Sequence, residues 1–332
     1  MDISCAFATS LATPEHIVLA ERLGYRRAWC YDSPALYPDV WVALALAAER
    51  TEVIGLGPGV LVPSLRHPMV NAAAIATLAA LAPGRVAVAV GSGYTGRLVL
   101  GERPLRWSEV ADYVRVLRAL LRGEDAVWQG HTLRMLHPEG FGARRPVDVP
   151  VLIGADGPKG LAVAAELGDG VFSAGLPQTE VDPGLTWRAL LTFGTVLDDG
   201  EEPTSARAQA AAAHAVAVVY HATYERGGPD AVDALPGGPA WREVVEAEPP
   251  ARRHLAVQDG HLVAPNAADR VALPAGQVLT GMLSFTGSAA ELRERVAGLA
   301  KVGVTELAYQ PGGPDIEREL RAFAEMAEVA PR

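Results

Sequence analysis

Cysteine is scarce: Cys5 and Cys30 are the only two in 332 residues. Both lie in apolar runs that read as strands, and neither has a CxxC partner or a nearby histidine. Buried thiols are expected, without a redox or metal role. An excess of positive charge is also missing. The formal charge of −10 argues against nucleic acid and anionic membranes, which are bound through clustered Lys and Arg, and leaves a small molecule as the expected partner. The longest apolar run, Ala72 to Ala82, is broken by Pro83, Gly84 and Arg85, well short of a membrane span. The opening MDISCAFATS has no basic segment of the kind that starts an export signal, so a cytoplasmic protein is expected. His214/His221 and His254/His261 are each spaced by seven. On a helix that is a rise of roughly 10 Å, too far for one metal ion, and no metal site is predicted.

What is present is a packed globular composition, 49% hydrophobic and 20% charged. The hydrophobic period alternates between strand and helix. Strand Ile3 to Ala8 precedes a helix that starts near Thr13-Pro14-Glu15 and runs to Leu23. Arg27 to Tyr31 precedes Val40 to Arg50, and Val53 to Leu61 precedes Val70 to Leu81. Val86 to Val90 leads through a glycine-rich loop to Trp107 to Leu121. An excursion, Val127 to Leu136, carries a hairpin turn at Gln129-Gly130. Strands then follow at Val151 to Ile153, Gly170 to Ser173 and Leu190 to Leu197, with helix Lys159 to Leu167 between the first two. A long Ala-rich helix spans Thr204 to Glu225. Gly227 to Ala275 reads as an irregular insertion with one helical stretch, Trp241 to Glu248. Ala289 to Val302 is an amphipathic helix, Thr305 to Tyr309 the eighth strand and Ile316 to Ala327 the closing helix. Eight such units predict one (β/α)₈ TIM barrel, a parallel eight-stranded barrel of the α/β class with insertions, spanning 1–332 as a single domain. Alternation alone also allows an open doubly wound sheet, but the count of eight favours closure.

In a barrel the site is built at the C-terminal ends of the strands. The segments there are Tyr31-Asp32-Ser33, Gly57-Pro58-Gly59-Val60 with Arg66-His67-Pro68, Gly91-Ser92-Gly93-Tyr94, and Ala155-Asp156-Gly157-Pro158-Lys159. Gly91 to Gly96 matches G-x-G-x-x-G, but Leu98 to Pro104 separates it from the next helix, and no second strand ends in an acid roughly twenty residues on. A glycine-lined ligand wall is the better account. Gly157-Pro158-Lys159 sits at a helix start, where free N–H groups and Lys159 would favour a phosphate; the alternative is a plain helix start with a solvated lysine. Gly55, Gly57 and Gly59 leave one strand face bare. Either something flat lies against it or the core is tightly packed there.

Together these segments resemble the luciferase-like superfamily, in the branch that uses the deazaflavin coenzyme F420. The third-strand motif Gly57-x-Gly59-Val60 with Pro63 and Arg66-His67-Pro68 carries the likeness, as does the fifth-strand motif Gly154 to Lys159. The likeness extends over Leu78 to Gly93, Arg118 to Glu124, the hairpin and Gly303 to Gly313. It implies a non-proline cis peptide at Gly59-Val60 against the central ring of the cofactor. It also implies Asp32 at the ring edge, Gly91, Ser92 and Gly93 along the side chain, and Ala155, Asp156, Gly157, Pro158 and Lys159 at the phosphate. Sugar-phosphate dehydrogenases of that branch carry His after the strand-two Asp and Glu in the strand-four loop. Here Ser33 and, approximately, Tyr94 stand instead, which speaks against sugar chemistry. Candidates for proton transfer are Asp32, Tyr94 and His67. Each also has a structural reading: a helix cap for Asp32, a pocket wall for Tyr94, a loop histidine for His67.

The resemblance implies an F420-dependent oxidoreductase acting on a small organic substrate enclosed by the insertion. Alternatives are an FMN-dependent monooxygenase fed by a partner reductase and a flavin-binding protein without turnover. A two-fold homodimer is the expected assembly.

Overall fold

The computed structural model describes residues 1–280 and 284–330. Eight parallel strands close into a barrel: β1 (Asp2–Phe7), β2 (Arg27–Cys30), β3 (Gly55–Leu61), β4 (Val88–Gly91), β7 (Val151–Gly154), β8 (Gly170–Ala174), β9 (Trp187–Phe193) and β10 (Glu306–Gln310). Between β4 and β7 lies the antiparallel pair β5 (Ala126–Trp128) and β6 (His131–Leu133). Its turn residues Gln129 and Gly130 both have positive φ, +50° and +82°, as a tight two-residue hairpin requires. The closed order β1-β10-β9-β8-β7-β4-β3-β2 excludes the open doubly wound sheet. Short Ala- and Val-rich strands buried on both faces make this sheet possible.

Strand boundaries shifted where side chains intervene. The third strand begins at Gly55 rather than Val53 because the Glu21 carboxylate accepts the N–H groups of Glu52, Val53 and Ile54. The seventh begins at Trp187 rather than Leu190, with the Trp187 indole donating to Glu306 on β10 at 2.7 Å. It ends at Phe193 rather than Leu197, where Gly194 turns at φ +153° so close to the Phe285 backbone that a Cβ would lie 2.3 Å from it.

Two apolar layers hold the barrel. The larger lies between strands and outer helices. The smaller fills the barrel interior with Trp29, Phe172, Ala87, Ala89, Leu152 and Leu191, among others. Both cysteines are buried and free. No described helix is long and apolar enough to cross a membrane.

The expectation of an irregular 227–275 segment is corrected. It contains helices Pro229–Val232, Gly238–Ala247, Arg253–Gln258 and Ala267–Gly276. These pack with the long helix Ala206–Gly227 around Trp241, Val245, Val257 and Tyr220. Scattered Pro and Gly hid the pattern because the helices are short and one has Pro274 inside it.

Candidate active site

Four neighbouring strand ends, those of β2, β3, β4 and β7, carry most of the predicted site residues. Three strand spacings separate the first from the last, roughly 14 Å at ~4.8 Å each, an arc suited to an elongated ligand.

At the β2 end Asp32 is buried, 3% exposed. The helix that follows, Val40–Ala48, is capped by Asp39 instead, so the capping alternative for Asp32 fails. Its Oδ1 accepts from Arg66 Nη1 at 2.5 Å, while Oδ2 is buried with no hydrogen-bond partner among the described residues. Burial pushes the Asp32 carboxyl above its ordinary range, and the Arg66 guanidinium only partly offsets it. Arg66 also grips Asp39 at 2.7 Å, which fixes the guanidinium between two carboxylates.

At the β3 end the Gly59–Val60 peptide is cis, and the register against β4 shifts between Gly59 and Leu61. Val60 lies between two neighbouring glycines: a Cβ on Gly91 would meet its Cγ2 at 2.9 Å, and one on Gly154 its Cγ1 at 2.6 Å. Gly91 is thus needed chiefly to seat Val60. The bare face of β3 is explained by the protein itself. A Cβ at Gly57 would strike the Ala87 carbonyl at 1.8 Å, one at Gly59 would lie 3.1 Å from the Trp29 ring, and one at Gly55 would strike Arg27. The flat body against the glycines is the Trp29 indole, and tight packing is the correct alternative.

His67 is exposed, and its Nδ1 accepts from the Met69 N–H at 3.2 Å as the N-cap of helix Pro68–Leu81. That bond commits the ring nitrogen nearest the chain to a capping task, and among the described residues His67 has no second side-chain hydrogen-bond partner. After β4, Gly93 turns at φ +81° into a short helix, Tyr94–Leu98. The Tyr94 hydroxyl is buried with no hydrogen-bond partner among the described residues, and Arg226 stands over its ring at 5.0 Å. Burial raises the phenol above its ordinary range, Arg226 opposing it. Ser92 is half-buried, its carbonyl accepting from Leu105 N–H at 2.9 Å.

After β7, Ala155 is buried in the wall. Asp156 Oδ1 accepts from the Ala174 N–H at 2.9 Å, so this carboxylate ties β7 to β8. Gly157 has open space where a Cβ would be, and no side chain caps the helix Pro158–Leu167 that starts behind it. Lys159 is exposed on its first turn. For an anion this leaves backbone N–H groups, the positive end of the helix dipole and a cation.

Across the mouth lies part of the insertion, the expected enclosure of the substrate, in which sequence reasoning named no site residue. Leu262, at φ +62°, packs with Val60 against the barrel interior. Its carbonyl accepts from Gln310 Nε2 at 2.7 Å, Gln310 Oε1 accepts from the Tyr31 hydroxyl at 2.7 Å, and the Tyr37 hydroxyl donates to the His261 carbonyl. His261 itself touches His221. The seven-residue spacing within each histidine pair was the wrong quantity, since contact occurs between the pairs. No local signal marks residues 40 apart. Beside this segment a cleft of about 340 Å³ opens between Leu36, Val99, Leu255 and Gln258, and the Gln258 Oε1 is buried with no hydrogen-bond partner among the described residues.

A closed parallel barrel whose C-terminal strand ends present a partly unpaired buried carboxylate, an apolar bulge and an uncapped helix start is a ligand-binding (β/α)₈ barrel of the enzyme type. The chain belongs to the luciferase-like monooxygenase family, whose sequence profile matches residues 11–306. Among curated proteins it is 28% identical to the 5,10-methylenetetrahydromethanopterin reductase of Archaeoglobus fulgidus, covering 96% of this chain and 94% of the relative. It is also 28% identical to the F420-dependent glucose-6-phosphate dehydrogenase of Microbacterium testaceum, over 95% and 91%. Among solved structures, an F420-dependent secondary alcohol dehydrogenase in complex with an F420-acetone adduct superposes with a TM-score of 0.68 at 17% identity, covering 99% of this chain and 98% of that one.

Proposed function

We infer that this protein is a coenzyme F420-dependent oxidoreductase that moves a hydride between the deazaflavin and a small organic substrate. The observation that carries the reading is the pairing, on one arc of strand ends, of the unpartnered buried Asp32 Oδ2 with an uncapped helix start beside Lys159. The residues present fit such a group, which has hydrogen-bonding ring edges at one end and a phosphate at the other. The names of full-length relatives support the same cofactor.

When bound, the deazaflavin would supply or accept the hydride. The chain's own tasks are positional. Asp32 Oδ2 offers an acceptor at the ring edge, and Arg66 holds that carboxylate in one rotamer. Val60 and Gly59 form the apolar support, with Gly91, Ser92 and Gly93 lining the stretch towards β7. Gly157, Pro158 and Lys159 hold the phosphate, and Ala155 and Asp156 shape the turn that presents them. Leu262 and Gln310 close the mouth against water. The substrate reaches the ring from the cleft between Leu36 and Leu255, whose volume falls within the usual range for small-molecule sites. Barrel, hairpin and insertion are read together as one domain.

Self-association is the remaining part of the reading. Helices Val40–Ala48 and Pro68–Leu81 pack side by side, joined by the Trp41 Nε1 to Asn71 Oδ1 bond at 3.0 Å. They expose Val42, Leu46 and Val70 at 60%, 44% and 53%, an apolar face suited to a homodimer.

The test is a fluorescence titration of the protein with F420 and, separately, with FMN, repeated on Lys159→Ala. F420 should bind in preference, and the variant should bind it up to about fivefold more weakly, the loss of the ~0.2–1 kcal/mol of an exposed ion pair. Preference for FMN would move the protein to the monooxygenase reading, with a reductase as partner. Tight binding of F420 without reaction of its reduced form with any carbonyl compound would favour a binding protein. Binding of neither cofactor would overturn the reading.

A further inference from the structure

A chain of buried polar groups runs from the insertion to the strand-four turn. Asp269 is fully buried and accepts from Trp241 Nε1 at 2.8 Å and from the Asn266 N–H at 3.0 Å. His221 Nε2 lies 3.1 and 3.2 Å from its two oxygens. His221 Nδ1 is 2.8 Å from His261 Nδ1, and His261 Nε2 is 3.2 Å from the Thr95 hydroxyl. The two imidazoles are 2% and 5% exposed. The turn that carries Thr95 rests on the strand-two segment, where a Cβ on Gly96 would sit 3.2 Å from the Asp32 carbonyl and 3.4 Å from Ser33 Oγ. The chain therefore ends on the rim of the candidate site, one residue from the unpartnered Tyr94 hydroxyl.

The partners dictate where the protons are. An ionised Asp269 only accepts, so His221 Nε2 carries a proton. In the neutral pair, His221 Nδ1 is then an acceptor, His261 Nδ1 the donor, and His261 Nε2 an acceptor for the Thr95 hydroxyl. A proton added at Nε2 can be passed on: the Nδ1 proton moves to His221, and the positive charge comes to rest beside the Asp269 carboxylate. Thr95 then accepts from His261 and its own hydroxyl hydrogen is free to point into the site. The same atoms thus support two complete hydrogen-bonding patterns that differ by one proton.

We propose that Asp269, His221 and His261 are a proton relay serving the hydride-transfer reaction through the hydroxyl of Thr95. The proposal rests on the reading above. In carbonyl reduction, a hydride from the reduced deazaflavin would form the new C–H bond, and the C=O π pair would move to oxygen. That oxygen takes the Thr95 hydroxyl proton. Thr95 takes the Nε2 proton of His261, and His261 Nδ1 takes the Nδ1 proton of His221, leaving the pair neutral. One hydride and one proton are added across the carbonyl, and the relay recovers its proton from water. Alcohol oxidation runs the same transfers backwards. Asp269, His221 and His261 are positioning residues that act through Thr95. The relay supplies what Ser33, in place of a histidine, does not.

Other charged groups face the pair. Burial pushes the His261 imidazole well below its ordinary range, and His221 and the buried His214 on the long helix add to the effect. Glu225 of the same helix lies near His221. Asp269 is drawn below its ordinary range by His221, Trp241 and Asn266 despite its burial. The Asn266 amide nitrogen lies 3.3 Å from His221 Nε2 but donates to the Ala256 and Val257 carbonyls at 3.1 Å, the Tyr37 hydroxyl donates to the His261 backbone carbonyl, and Thr95 faces its ring.

The test uses the full chain with ¹⁵N-labelled histidine and threonine and F420 as the probe. In the ligand-free protein, His221 and His261 should gain one proton jointly, their nitrogen signals moving together with a single midpoint. Asp269→Asn should lower that midpoint by about 1–3 pH units, the effect of removing an adjacent opposite charge, and Asp269→Glu should restore part of it. Should Asp269→Asn not fold, His221→Gln must abolish the joint transition. Adding F420 should raise the wild-type midpoint and move the Thr95 signals, so that F420 affinity shows the same midpoint in its pH dependence. Independent titration of the two rings, or F420 binding that leaves the pair and Thr95 unmoved, overturns the relay. Failure of F420 to bind instead overturns the hydride-transfer reading, and the catalytic use of the relay with it, while the joint transition is still judged on the ligand-free spectra.

Discussion

Asp32 and Arg66 form an ion pair at 2.5 Å in which the carboxylate side chain is 1% exposed and the guanidinium 13%. Removing one member of a buried pair leaves the other uncompensated. Arg66→Met should therefore cost about 3–5 kcal/mol at neutral pH. The carboxyl is already held above its ordinary range by burial. A carboxyl with a raised folded value adds stability that is fully present below its unfolded value and lost as pH rises through the folded one. Arg66 is what limits that loss, so in Arg66→Met the folded value rises further. The deficit against wild type should shrink as pH falls from 7 towards 4.5. Thermal melts of both proteins across that range decide it, and a deficit independent of pH would remove Asp32 from the account.

The exposed face of Val42 and Val70 leads to a different measurement. Each protomer is 34.9 kDa, and light scattering should return twice that mass for the wild type. Val42→Asp combined with Val70→Asp should return the single mass with an unchanged circular dichroism spectrum, because both side chains lie outside the core. A wild type that runs as a monomer would remove the homodimer from the reading.

The barrel was legible because its units repeat a simple period, and burial on both faces demands the same Val, Ala and Leu composition in each strand. Strand ends were less legible, since they depend on distant side chains such as Glu21 and Phe285. In the candidate site, the segments around Asp32, Val60, Gly91 and Gly157 were found because each follows a strand directly. What each side chain does there was not written locally. Asp156 turned to Ala174, His67 capped its own helix, and Gly91 made room for Val60. His221 and His261 were weighed only as metal ligands and Asp269 was not considered, because the three meet only through the packing of insertion helices, which carry no mark of that meeting in sequence.

The β3 glycines separate two costs that the sequence could not. At Gly57 an added Cβ meets a backbone carbonyl at 1.8 Å, whereas at Gly59 it meets the Trp29 ring at 3.1 Å. The Ala87 carbonyl is backbone immediately before β4 and can move only with the chain that leads into the strand, but a ring can shift by a few tenths of an ångström. Gly57→Ala should thus destabilise by more than ~3 kcal/mol, and Gly59→Ala by about 1 kcal/mol, at either end of the range for overpacked cores. Urea midpoints rank the two, and equal losses would show that Trp29 is as rigid as the backbone.

Val60 and Gly154 provide the last expectation, a coupling. The Cβ of Gly154→Ala would fall 2.6 Å from Val60 Cγ1, and valine has no rotatable stem with which to withdraw. The single substitution should cost about 1–3 kcal/mol by overpacking. Val60→Ala removes the offending methyl, so the double variant should be more stable than the sum of the two single changes allows, with an interaction term of about 0.5–3 kcal/mol. The same cycle read by F420 binding separates structure from site. If Val60 supports the cofactor, Val60→Ala weakens binding whether residue 154 is Gly or Ala, while stability recovers only in the double variant. Binding that recovers together with stability would mean that Val60 merely fills the space between β4 and β7.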